Sequence, residues 1–131
     1  MKKFIYIAIL MLIPLGVAAQ SDSDSKSNQI YENPEVTASF PGGNAALVNW
    51  LSQNIKYPAS ARKNNIEGRV IVRFIVEKNG RISEVKVVRS IDPALDLEAV
   101  RVVKAMPHWT PAQFNGIAVR SRFILPINFK K

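Results

Sequence analysis

The sequence predicts an α+β domain of two layers: a three-stranded antiparallel sheet in the order 2-1-3, with helices packed on one face. Three patterns predict it. Val70, Val72, Phe74 and Val76 alternate with Arg69, Ile71, Arg73 and Ile75, the period of two that marks a strand. Val119, Ser121, Phe123, Leu125, Ile127 and Phe129 alternate with Arg120, Arg122, Ile124, Pro126 and Asn128 in the same way. Elsewhere the apolar spacing changes to three and four. Leu47, Trp50 and Leu51 share one helical face, and Ala99, Val102, Val103 and Met106 form a second stripe.

Each element has its punctuation. Pro41-Gly42-Gly43 breaks the chain, and Asn44 can cap a helix running to about Asn54. Tyr57-Pro58 restarts it, and Pro58 suits the first position of a short helix reaching about Asn64. The first strand then runs to Glu77. Lys78-Asn79-Gly80 follows, and Asn-Gly between two strand patterns is a strong hairpin signal. Arg81 to Arg89 returns, with Val85 and Val87 on the buried side. Asp92-Pro93 supplies an N-cap and a first-turn proline for a helix to about Ala105. Pro107 and Pro111 bracket a turn carrying Trp109, and Asn115-Gly116 makes another turn before the third strand.

The same residues order the sheet. Arg69, Arg73, Lys86, Arg120 and Arg122 occupy one side of it, so the helices belong on the other. The first strand is the most apolar and takes the centre. Pro126 has no N–H for a ladder, which places the third strand at an edge. The crossover from second to third strand then runs through the helix with the usual right hand.

The chain's beginning reads as an address. Lys2 and Lys3 precede an apolar run from Phe4 to Leu15, and Val17, Ala18 and Ala19 form a small-residue cleavage site. The run is shorter than the ~20 apolar residues of a spanning helix. Residues 1–19 are therefore read as a signal peptide, with membrane contact only if that segment stays uncleaved. Residues 20–40 are a flexible linker or irregular segment, and 41–131 the folded domain. Losing Lys2 and Lys3 takes the net charge from +8 to +6. Such a charge favours anionic partners, the cell wall among them, while export argues against nucleic acid.

Chemistry is thinly represented. There is no cysteine and one histidine, His108, so neither a disulfide nor a transition-metal site is expected. Ser90 and Ser121 have no base at a suggestive spacing, and Asp92 and Asp96 are explained as helix-start residues. No Gly-rich phosphate loop appears. The sequence points to a binding protein without cofactor, not an enzyme.

Together the landmarks resemble the TonB C-terminal domain family. They are Tyr57-Pro58-Ala59 with Ala61, Glu67-Gly68, the Val70 to Val76 strand ending in Asn79-Gly80, and Val85-x-Val87-Val88-x-Ser90. Leu95-Asp96, Trp109-x-Pro111, Asn115-Gly116 and a last strand ending Pro126-Ile127-x-Phe129 complete the set, over about Pro41 to Phe129. The resemblance implies an envelope protein that contacts outer-membrane TonB-dependent transporters by pairing its edge strand with a short extended segment, the TonB box. Transducers of that family also carry a membrane helix and a long Pro-rich spacer. Here residues 21 to 40 hold one proline, Pro34, and span at most ~70 Å.

The implied peptide-binding edge is Val119, Arg120, Ser121, Arg122, Phe123, Ile124 and Leu125. Two readings stand for Arg120 and Arg122: solvated charges that deter aggregation, or groups that orient an acidic peptide. Two stand for Arg62 as well, a plain surface arginine or a peptide contact. Trp50 and Trp109 read as core. The exposed edge also permits pairing with a second copy of the chain. The alternative function is a structural or regulatory envelope protein that binds cell wall or protein by its basic surface.

Overall fold

The structure, a computed structural model, describes residues 28 to 130. The expected signal segment, its cleavage site and the first part of the expected linker lie outside them. No helix of the described residues is long and apolar enough to cross a membrane. The elements are β1 (Ile30–Tyr31), α1 (Asn44–Asn54), α2 (Ala59–Lys63), β2 (Gly68–Val76), β3 (Ile82–Arg89), α3 (Pro93–Lys104), β4 (Ala112–Phe114) and β5 (Ile117–Phe129).

The sheet runs β1-β5-β2-β3, with β4 pairing β5. The three strands with a clear period of two take the expected order, β2 lying between β3 and β5 and antiparallel to both. The expected three-stranded, all-antiparallel sheet is nevertheless wrong in two respects. There are five strands among the described residues, and β1 pairs with β5 in parallel. β1 is two residues long, too short to carry any period. β4 is three residues long and faces the start of β5 across Asn115 and Gly116, which both have positive φ, +55 and +74. That is the backbone of a two-residue type I′ hairpin turn.

The helix starts follow local chemistry. Asp92 accepts hydrogen bonds from the N–H groups of Ala94 and Leu95 at 3.0 and 3.3 Å, with Pro93 opening α3. For α1 the expectation fails: Gly43 is the cap and Asn44 the first helical residue, with no side-chain cap. Gly42 and Gly43 sit at φ near +90, and Gly43 N–H donates to Phe40 O, so the turn consumes the cap position. The turn between β2 and β3 closes by Gly80 N–H donating to Glu77 O at 2.8 Å. Gly80 alone has positive φ there, +89.

The core lies between the sheet and the helices. Val70, Val72, Phe74 and Val76 of β2 have no exposed surface, nor have Leu95, Ala99, Val102 and Val103 of α3. Trp109 seats edge-on against Phe74 and Phe123, at 5.4 and 4.9 Å between ring centres. Trp50 is half-buried against this core. The opposite face is largely polar. Ile75 is buried there, in a shallow pocket shared with Arg73, Glu84, Lys86 and Arg122. Long side chains screen an apolar group in this way through their stems.

Candidate functional site

β5 and β2 pair without interruption. Nine consecutive residues, Ser121 to Phe129, face Val76 back to Gly68 with no shift of register. On its other edge, β5 is paired only near its start. There Arg120 and Ser121 face Ile30 and Tyr31 of β1; β4 pairs Ile117 to Val119, short of the stretch that β2 covers. From Arg122 onward, no strand of the described residues pairs with that edge. Pro126 stands opposite Ile71 and has no N–H, so this is a pair that exchanges no ladder bonds. By alternation, Arg122 and Ile124 aim their N–H groups at the open side.

The sheet's opposite edge is built differently. β3 shifts register against β2 twice, once between Ile71 and Val72 and once between Arg73 and Ile75. At the second shift Glu84 holds a left-handed backbone, φ +48, inside the strand. Bulges of this kind twist an edge and spoil it as a template for pairing. The β5 edge keeps a regular backbone.

Side chains divide along β5 as the alternation requires. Ser121, Leu125, Ile127 and Phe129 are buried toward the helices, and Phe123 is half-buried with its ring stacked on Phe74. Ile124 projects from the polar face with 59% of its surface exposed, an unusual site for a large aliphatic group. Arg120 is fully engaged. Its guanidinium donates to both oxygens of Glu77, at 2.7 and 3.3 Å, and to Asn28 O at 2.8 Å. Burial pushes the Glu77 carboxyl up, but hydrogen bonds from Arg120 and Ser83 outweigh it and hold it below the usual carboxylate range. Arg122 is less well served. Its Nε lies 3.1 Å from Glu32 Oε2, yet it is shut off from solvent and makes no hydrogen bond with any of the described residues.

The expected site residues therefore separate. Val119, Arg120 and Ser121 already have backbone partners; Arg122, Phe123, Ile124 and Leu125 border the open stretch. Arg62 is exposed, with its guanidinium 5.1 Å from the Tyr57 ring centre. Tyr57 in turn meets Phe129 edge-on, so Arg62 sits toward the far end of β5 rather than beside Arg120 and Arg122. Asn28, Glu32 and Glu77 were missed in the sequence. Only Glu77 carried a signal, as a carboxylate closing a strand whose outer face is basic. No group of His, Asp or Glu among the described residues could hold a metal ion.

A family model described as "Gram-negative bacterial TonB protein C-terminal" matches residues 53–130. The chain belongs to the TonB C-terminal domain family, one of periplasmic, non-catalytic protein-interaction domains that act with outer-membrane TonB-dependent transporters. The fold is similar to the solution structure of the Helicobacter pylori TonB C-terminal domain (residues 194–285), with a TM-score of 0.51 and 22% identity. That match covers 66% of this chain and 90% of the other. A longer form of the same domain (residues 179–285) gives 0.45 and 21%, over 70% and 88% of the two chains. No curated protein matches.

Proposed function

We propose that this is an exported periplasmic protein, cut after Ala19, that binds an extended segment of an outer-membrane transporter by adding it as a strand to β5. The observation that carries this reading is the contrast between the two sheet edges. β5 keeps an unbroken register and is open from Arg122, whereas β3 is bulged twice. Main-chain hydrogen bonds would supply affinity, and the alternate side chains Arg122 and Ile124 selectivity.

A second reading has its own observation. Arg73 lies directly across from Lys86, and neither has an ion-pair partner among the described residues. Like charges placed so are unfavourable until an anion neutralises them. That would suit anionic cell wall on the outer face of the sheet.

The two separate by salt and by proline. The probe is a synthetic peptide from the periplasmic N-terminal segment of an outer-membrane TonB-dependent transporter, titrated calorimetrically. Strand addition should persist at high salt, and Ile124→Pro should abolish it while the protein still folds. Full binding by folded Ile124→Pro removes strand addition. Binding to purified wall that fades with salt puts the basic face ahead.

A further inference from the structure

The start of the β5 edge is occupied by the chain's own N-terminal arm, residues Asn28 to Val36, which lies outside the stretch shared with the family. The arm is held unevenly. From Val36 onward it is fixed: Val36 exchanges two backbone hydrogen bonds with Gln113, at 3.0 and 2.9 Å, and Ala38 and Phe40 are buried. Ahead of Val36 the attachments are slight. They are the two-residue strand Ile30–Tyr31, a tilted contact of the Tyr31 and Phe114 rings at 5.2 Å, and polar contacts made by Asn28, Glu32 and Glu35. Ile30 and Tyr31 are only half-buried.

The Glu32 contact is the telling one. Arg122 Nε has lost its water but gains no aligned hydrogen bond from the carboxylate 3.1 Å away. A desolvated charged donor in this state gains from any carboxylate that meets it squarely. The Glu32 side chain is 63% exposed, so its hold is weak.

We propose that the arm Asn28–Glu35, ahead of the fixed Val36, is a resident occupant of the docking edge, displaced by an incoming strand that runs parallel to β5 and offers Arg122 a better-aligned carboxylate. The proposal rests on strand addition at β5. The arm's own chemistry describes the partner. It carries an aliphatic and an aromatic residue opposite Arg120 and Ser121, followed at once by an acid, as Ile30-Tyr31-Glu32 does. A tethered arm acts at an effective concentration on the order of millimolar, so free peptide competes poorly until the arm is loosened.

The test uses the full chain and a probe taken from it, a synthetic peptide with the sequence of residues 28–36. Glu32→Lys sets like charges against each other at Arg122 and should free the arm. Amide exchange at Tyr31 should accelerate at least tenfold in this variant, with that of Phe74 unchanged. The probe peptide should bind Glu32→Lys at least tenfold more tightly than wild type. A second probe, carrying the Glu32→Lys change itself, should not bind. If exchange at Tyr31 is unchanged, or accelerates together with Phe74, the arm is a fixed part of the domain and the proposal falls. If the arm is freed but the unmodified probe fails to bind, strand addition at β5 is itself refuted, and the proposal with it.

Discussion

Phe74→Ala is the sharpest test of how the docking strand is supported. Phe74 is fully buried on the central strand and faces Phe123 of β5 directly across the ladder. Its ring stacks on Phe123 at 5.6 Å and meets Trp109 edge-on at 5.4 Å, and Trp109 also packs edge-on against Phe40. Truncating a buried Phe costs ~3–5 kcal/mol in general. Here two aromatic pairs, each adding ~0.5–1.5 kcal/mol beyond area burial, are lost as well. The central strand is paired on both sides and cannot collapse into the gap, so the cost should reach ~4–5 kcal/mol. For a domain of this size that is a fall in Tm of roughly 20–30 °C. Urea unfolding followed by Trp fluorescence gives the number. A loss below about 1 kcal/mol would mean that the ring is not where the packing argument puts it. Phe74→Leu, which keeps most of the volume, should cost clearly less.

Gly80→Ala should be severe for a different reason. A Cβ there would lie 2.0 Å from Trp109 O, and the backbone at φ +89 disfavours any side chain. A loss of at least ~2 kcal/mol is expected in the same unfolding assay, and a neutral result would refute the turn geometry. Glu98 of α3 is buried, and accepts two hydrogen bonds from Arg101 and one from Lys56 N–H, each at 2.7 Å. Burial pushes its carboxyl up, but those bonds outweigh it and leave it below the usual range. A carboxyl lowered by folding stabilises fully above the ordinary carboxylate range, and that share is lost as pH falls through its lowered value. Melts of Glu98→Gln should therefore be less stable than wild type at neutral pH and lose less on acidification; parallel curves would refute this. Ser121→Pro should destabilise more than Arg122→Pro, because alternation from Pro126 turns the Ser121 N–H toward β2 and the Arg122 N–H outward. Arg122→Pro should abolish peptide binding in a titration while the protein stays folded; equal melting losses for the two variants would refute the alternation.

The sequence by itself determined the elements whose signal is local. The alternating runs around Val72 and Phe74, and around Phe123 and Leu125, can bury one face only as strands. The acceptor on Asp92, one residue before Pro93, can open only a helix. Pro126 placed its own stretch of β5 at an open edge, since a missing donor is a property of the residue itself, but the strand as a whole lies between β1 and β2. The family landmarks are of the same local kind. What the tertiary structure decided is everything set by distant partners. Ile30 and Tyr31 become a strand only because Arg120 and Ser121 present a free edge to them. The β3 bulge at Glu84 arises in pairing with β2, and nothing in Ser83-Glu84-Val85 announces it. Arg120 could be read equally as a free charge or a ligand group until Glu77, 43 positions away in sequence, was seen to hold it. Arg122 was open in the same way, and its poorly aligned contact with Glu32 comes from the arm's path. Periodicity reports which face of an element is buried, because that depends on neighbours along the chain. It is silent on which edge stays open and which charge stays short of a partner, because those depend on chain that arrives from elsewhere.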